Sequence, residues 1–320
     1  IVIEGGETEG NKMTKTDGTY AFDGLEMFND YQLKPAKEDK PLTGITTLDL
    51  VMIQRHILGI ETLKSPYKII AADVNNSNSV TASDLTELRK MILGITDKFS
   101  KSDPWKFVDA HYAFENPENP WFFKDNLLYE NVEHNMNASD FIAIKTGDVN
   151  GTVSADLSGQ LQSRADVSTW MIVENTGLKS NILTDIPFSI DRNLSITGLQ
   201  FTIELHNDID FRGIEAEKLP LRQENIHYFT EKGRSFVNIS FNTSQELTLK
   251  EGDVLFNVIA LPKKNIISQD AIQISGNKLH AEQIWKYYHY CYNSEMQLLI
   301  NRHTFYKTNP IHSMKKQSLN

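Results

Sequence analysis

Asp73-Val-Asn-Asn-Ser-Asn-Ser-Val-Thr-Ala-Ser-Asp84, running directly into Leu85-Thr-Glu-Leu-Arg-Lys-Met-Ile-Leu-Gly94, decides how this 320-residue chain reads. A twelve-residue calcium loop presents oxygen at positions 1, 3, 5, 7 and 12, with a carbonyl at 7 and often a water at 9. Counted from Asp73, these positions are Asp73, Asn75, Ser77, the carbonyl of Ser79, Thr81 beside the water, and Asp84. All are hard oxygen donors, the kind Ca²⁺ takes. Position 6 is Asn78 in place of glycine, and asparagine tolerates the left-handed turn needed there. Two carboxylates, one a short Asp at position 12, imply modest affinity. The alternative is an Asx-rich turn ahead of a capped helix.

The helix after this loop has a copy upstream. Thr46-Thr-Leu-Asp-Leu-Val-Met-Ile-Gln-Arg-His-Ile-Leu-Gly-Ile60 aligns without a gap on Thr81-Ala-Ser-Asp-Leu-Thr-Glu-Leu-Arg-Lys-Met-Ile-Leu-Gly-Ile95. Leu50, Ile53 and Ile57 share one helical face, as do Leu85, Leu88 and Ile92. Gly59 and Gly94 sit where a helix stops in a left-handed residue. Two such short amphipathic helices bury little apart, so they are expected to pack on each other.

The duplicated Asp-Leu…Ile-Leu-Gly segments and Asp73-Val-Asn75 resemble a dockerin module, the paired calcium-loop and helix domain of secreted bacterial polysaccharide-degrading and surface proteins. The resemblance covers about residues 43–95 and implies Ca²⁺ as cofactor and a cohesin module as partner. The first repeat departs from the pattern: Glu38, Lys40 and Leu42 stand at loop positions 1, 3 and 5, and neither Lys40 nor Leu42 supplies the expected donor. An echo of the front half of a loop occurs far downstream, at Gly147-Asp-Val-Asn-Gly151. This suggests that residues 97–146 loop back and set Asp148 and Asn150 beside Asp49 as a second, composite oxygen site. The alternative is that Asp148-Val-Asn-Gly only turns into a linker.

Composition bounds the rest. A hydrophobic fraction of 40% and an aromatic fraction of 10% are ample for packed cores. A formal net charge of −10 argues against nucleic acid, which needs clustered Lys and Arg. No apolar run is long enough to span a membrane. The single cysteine, Cys291, excludes an intrachain disulfide and a Cys-rich zinc site. Ile1 is followed by no signal-peptide pattern, so the chain is expected to be a fragment of a secreted or cell-surface bacterial multimodular protein, with its signal outside this sequence. The nine histidines form no His-Glu-x-x-His, and no nucleophile elbow, phosphate loop or dinucleotide fingerprint occurs. No catalytic residue is assigned, and the chain is expected not to be an enzyme.

Around the calcium module the pattern is β. Residues 1–36 contain Thr16–Phe22 and Tyr31–Pro35, read as a strand and an edge strand. Their Asp-Gly-x-Tyr-x-Phe pattern resembles the last strands of carboxypeptidase-regulatory-like or adhesin B-type sandwiches, which implies a partial remnant of such a module. Residues 97–146 are an aromatic-rich insertion, with Trp105, Phe107, Tyr112, Phe114, Trp121, Phe122 and Phe123. Packing over the helices is the favoured role; an exposed strip for sugar rings is the other. Residues 152–168 read as a polar linker that leaves the part after it to fold by itself.

From residue 169 to 302 period-two strands recur, at 182–190, 197–205, 236–241, 253–261, 272–275 and 297–300, and predict an all-β sandwich. Gly198-Leu-Gln-Phe-Thr-Ile and Gly252-Asp-Val-Leu-Phe resemble a cohesin domain, whose jelly roll is shared with carbohydrate-binding modules. Residues 303–320 read as a tail. The expected fold is therefore multidomain: a β remnant at 1–36, a dockerin-like module at 37–151, and a cohesin-like sandwich at 169–302. The expected function is non-catalytic binding or assembly with protein modules of cohesin or dockerin type. The alternative is a polysaccharide-binding accessory region whose catalytic domain lies elsewhere.

Overall fold

The computed structural model describes residues 1–6, 8–153, 169–275, 279, 282–287 and 290–301. The expected tail at 303–320 and nearly all of the expected linker at 152–168 lie outside them. Thr152 and Val153 are described, and they belong to a loop treated below.

The N-terminal strands β1 (Val2–Gly5), β2 (Thr8–Asn11) and β3 (Tyr31–Lys34) make a sheet that needs a strand from elsewhere. After helices α1 (Thr47–Ile57), α2 (Pro66–Ala72) and α3 (Ala82–Ile92) come β4 (Trp105–Asp109), β5 (Leu127–Tyr129) and β6 (Phe141–Lys145). β5 pairs with β3, giving the order β2-β1-β3-β5 over a small core of Ile3, Tyr31 and Leu33. Three sequence expectations change here. Tyr31–Lys34 is an interior strand, 16–22 is not a strand, and the sheet runs across the expected boundary at residue 36. Tyr20 and Phe22 alternate as a strand would, yet they pack edge to face on each other in an open loop.

Each main helix follows from its sequence. Thr46 and Thr81 are N-caps in capping boxes closed by Asp49 and Asp84, with both reciprocal bonds present. At the other end Gly59 and Gly94 have φ of 66° and 75°, and Ile60 and Ile95 donate back to Arg55 and Lys90. That is a Schellman stop in both repeats. Leu50 and Ile53 of α1 meet Leu85, Leu88 and Ile92 of α3 in one core. Tyr112, Phe114, Trp121 and Phe123 of the insertion pack against it, so those aromatics fill a core. Phe122 stays exposed.

The sandwich is a single ten-stranded sheet folded on itself. Its strands are β7 (Thr169–Glu174), β9 (Thr184–Ile190), β10 (Leu194–Leu205), β11 (Ile209–Ala216), β12 (Ile226–Glu231), β13 (Arg234–Leu249), β14 (Val254–Pro262), β16 (Ile272–Ser275), β17 (Glu282–Tyr287) and β18 (Tyr290–Asn301). A short pair, β8 (Gly177–Leu178) with β15 (Ile266–Ile267), and a turn of helix α4 (Ser268–Ala271) complete the set. The order is β11-β14-β9-β7-β18-β17-β10-β13-β12, with β16 also on β10. β18 joins the halves, antiparallel to β17 and parallel to β7. Phe256 stacks on Phe188 of its own half and on Phe201 of the other, at centroid separations of 4.8 and 5.9 Å. Strands β11 and β12 were not legible beforehand: Ile209–Ala216 is interrupted by charge and Ile226–Glu231 is mostly polar or aromatic.

Candidate functional site: two loops and a buried seam

The contiguous loop is drawn tight by its own carboxylates. Asp73 Oδ1 accepts from Ser77 N–H and Oδ2 from Asn78 N–H, both at 2.8 Å. Asp84 Oδ1 accepts from Asn75 N–H at 3.3 Å and Oδ2 from Thr81 N–H at 2.8 Å. Ser77 Oγ donates to the Ser79 carbonyl. Asn76 and Asn78 take positive φ, 55° and 58°, which asparagine bears better than most residues. Burial, reinforced by nearby Asp73, pushes the Asp84 carboxyl above the usual carboxylate range against the pull of its backbone bonds. All six residues named from the sequence therefore meet in one loop.

The second loop is built from two pieces of chain about one hundred residues apart, and it repeats the main carboxylate bonds of the first. Asp148 Oδ1 accepts from Thr152 N–H at 3.2 Å and Oδ2 from Val153 N–H at 2.8 Å, as Asp73 does four and five residues on. Asp49 Oδ1 accepts from Asn150 N–H at 3.2 Å and Oδ2 from Thr46 N–H at 2.9 Å, as Asp84 does. Thr152 Oγ1 donates to the Gly44 carbonyl, as Ser77 does to Ser79. Gly151, with φ 73°, stands where Asn76 stands. Val149 and Val74 are both buried in the helical core. The front half of this loop thus comes from 148–153 and the back half from 44–49. The Asp49 carboxyl lies well above the usual range because it is buried and because Asp148 is near; burial likewise raises Asp148.

Whether these loops suit calcium is tested by what their polar atoms lack. Asn75 Oδ1 is buried with no hydrogen-bond partner, an orphan acceptor at the third position of the loop, which a cation would satisfy. Together with two carboxylates and the Ser79 carbonyl, the contiguous loop fits an oxygen-seeking ion. At the equivalent place in the split loop the orphan is Asn150 Nδ2, while its Oδ1 accepts from Thr152 N–H. An oxygen faces the ion there only with that amide turned over, so the split loop fits less well.

A different surface was invisible in the sequence. On β10 and β13, Leu199, Phe201, Ile203 and Val237, Ile239, Phe241 point into the sandwich core. The alternating residues Gln200, Thr202, Asn238, Ser240 and Asn242 point outward, yet all are buried. They are buried because α1 and the end of α3 lie on them. Thr47 N–H donates to Gln200 Oε1 at 2.7 Å, and Thr47 Oγ1 meets Ser240 Oγ at 2.7 Å. Asn242 Nδ2 donates to Gln54 Oε1 and its Oδ1 accepts from Arg89, both at 3.0 Å. Gln54 and Arg89 occupy matching places in the two repeats, so one asparagine holds both helices. The Leu93 carbonyl at the end of α3 accepts from Asn238 Nδ2 and contacts His227 Nδ1. Leu48 and Val51 are buried beside this seam, and Leu279 of the sandwich joins the helical core. The expectation of a sandwich set apart by a linker is therefore corrected: the two parts share a buried, hydrogen-bonded contact. The available signal was an outward row of Gln, Thr, Asn, Ser and Asn without formal charge, where a solvent-facing row usually carries Lys and Glu.

The comparisons with known proteins fall on these same parts. Residues 43–93 match the dockerin type I domain model. No curated protein matches the chain. Among solved structures, the seventh ScaB type I cohesin of Pseudobacteroides cellulosolvens aligns at 12% identity, over 45% of this chain and 100% of its own, with a TM-score of 0.29. The third ScaC cohesin of Acetivibrio cellulolyticus, solved with the ScaB dockerin, aligns at 10% identity, over 41% and 99%, with a TM-score of 0.26. A non-cellulosomal cohesin from Archaeoglobus fulgidus aligns at 14%, over 42% and 92%, with a TM-score of 0.22. At scores of that size, strand order and core define the sandwich. The chain is thus multidomain, with residues 43–93 matching the dockerin type I domain and a β-sandwich following it.

Proposed function

We propose that this chain serves non-catalytic assembly in a secreted or cell-surface protein, with a calcium-ordered dockerin-like module seated on a cohesin-like sandwich of the same chain. The observation that carries this reading is the seam, where an outward row of uncharged polar side chains is buried and paired with α1 and α3. Paired burial of that kind is what a specific interface needs, since an unpaired polar group there would cost free energy. The pairing is made within one chain, so the module's first helix is engaged by its own sandwich.

Calcium belongs to this reading as the loops' organiser. Asp73, Asn75, Ser77, Ser79, Thr81 and Asp84 would hold one ion, Thr81 through a water; Asp49, Asp148 and Asn150 would hold a second with the Asn150 amide turned over. The ion's chemistry is neutralisation of paired buried carboxylates. Because Asp49 and Asp84 also cap α1 and α3, an ordered loop and an ordered docking helix go together.

Small-angle scattering of the full chain tests the assembly. With calcium, one compact particle is expected, near the ~20 Å radius of gyration of a globular chain this long. Two separated bodies in saturating calcium would overturn the seating. Calorimetry on the chelated chain should then find calcium binding that Asp84→Ala weakens. No binding at all would remove calcium while leaving the seating intact.

A further inference from the structure

β4 and β6 form a two-stranded ribbon beside the loops, and each strand carries one lysine. The register pairs Trp105 with Lys145 and Lys106 with Ile144. Cross-strand partners share a face, so Lys106 and Lys145 leave opposite faces of the ribbon. Lys106 Nζ donates to the carbonyl of Asp73 at 2.8 Å and reaches that of Ile70 at 3.4 Å. It therefore ends on the residue that opens the contiguous loop, within electrostatic reach of both the Asp73 and Asp84 carboxylates. Lys145 is buried, donates to the Lys40 carbonyl at 3.0 Å, and lies 3.9 Å from Asp39. Its charge is thus shared with a carboxylate outside either loop.

Asp73 and Asp84 are both buried. Two buried carboxylates in one loop repel, and beyond the backbone N–H bonds they accept, an opposite charge nearby favours their ionised forms. Resting on the calcium reading above, we propose that Lys106 is a resident counter-cation of the contiguous loop, holding its two carboxylates together without calcium and opposing the ion when calcium enters. An ammonium supplies charge but cannot gather six to eight oxygens as calcium does. The loop therefore keeps its shape in the metal-free chain, at the expense of calcium affinity. Lys145 stands in a weaker relation to the split loop, because Asp39 already engages it.

A purely structural role is the competing account: Lys106 Nζ caps the last carbonyls of α2. The two accounts differ in sign. Lys106→Gln keeps a donor for those carbonyls but removes the charge, and Lys106→Arg keeps the charge. In the full chain, calcium affinity of the contiguous loop is read by chelator competition. Asp148→Ala is present throughout to silence the split loop. Lys106→Gln should raise the affinity about tenfold and lower the melting temperature in chelator. Lys106→Arg should stay within about threefold of the parent, and Lys145→Gln should leave this loop unchanged. Unchanged or weakened affinity in Lys106→Gln, including loss of folding or of binding, overturns the counter-cation. Absence of calcium binding in the parent chain instead overturns the calcium reading itself.

Discussion

The two helical repeats fold alike and are used differently. Both open with a Thr–Asp capping box, both close on a left-handed glycine, and both bury the same inner face. Their outer faces diverge. On α1, Thr47, Leu48, Val51 and Arg55 are buried under the sandwich; their counterparts on α3, Ala82, Ser83, Thr86 and Lys90, are exposed. Two apolar residues have become hydroxyls, and a buried arginine has become a solvated lysine. The two repeats thus share what builds the module and differ in what docks it. The loops diverge in parallel, since the α3 loop is one unbroken stretch and the α1 loop is closed by residues 148–153.

The sharpest way to break this comparison is at the matched carboxylates. Asp49 accepts backbone hydrogen bonds from Thr46, Val149 and Asn150, tying residues far apart in sequence. Asp84 accepts from Thr81 and Asn75, within its own loop. Leaving buried donors without an acceptor costs about 1–3 kcal/mol each. In chelator, Asp49→Ala should therefore lose about 4 kcal/mol and Asp84→Ala about 2 kcal/mol. Urea unfolding of both variants measures the difference, and equal losses would mean that the split loop holds nothing together.

Next comes the outer face itself. Val51→Asp places a charge in the buried contact and should cost about 3 kcal/mol. Thr86→Asp, at the matching exposed place, should stay within about 0.5 kcal/mol. If both variants unfold at the same urea concentration, the seam does not distinguish the repeats.

Smaller again is the effect at the shared asparagine. Asn242→Ala leaves Gln54 and Arg89 without their common partner and should cost about 2 kcal/mol, Arg89 being charged. Double-mutant cycles with Gln54→Ala and Arg89→Ala should each return a coupling of about 0.5 kcal/mol or more. Cycles that close to zero would show that Asn242 touches the helices without holding them.

What could be read from the sequence was whatever repeats or alternates locally. The spacing from Asp73 to Asp84 marked a loop because all its ligand positions fall in one stretch. The inner faces of α1 and α3 and most strands of the sandwich followed from period alone. Asp148 and Asn150 were legible as the front half of a motif whose back half, Gly44–Asp49, lies a hundred residues earlier, so their meeting with Asp49 could be expected but not read from any one stretch. The seam was missed because an outward polar row reads as solvent-facing unless its lack of formal charge is given weight. The N-terminal sheet failed for a related reason: β5 is three residues long and carries no period of its own, so nothing in 127–129 pointed to β3.

The smallest expected effect sharpens the contrast between an unbroken and a split loop. Asn78 sits at the sixth position of the unbroken loop with φ 58°, turning the chain back toward α3. Val153, at the equivalent place in the split loop, does not take a positive φ. A left-handed residue costs roughly 1 kcal/mol, less for asparagine, and glycine removes that cost. Glycine also frees the unfolded chain by a similar amount, so the two effects nearly cancel. Asn78→Gly should shift the melting temperature by no more than about 2 °C in calcium or in chelator. Calcium affinity should not move, because Asn78 serves the loop through its N–H to Asp73 Oδ2, which glycine keeps. A tenfold loss of affinity would show instead that the Asn78 side chain is a ligand and that position 6 differs in chemistry, not only in backbone, between the two loops.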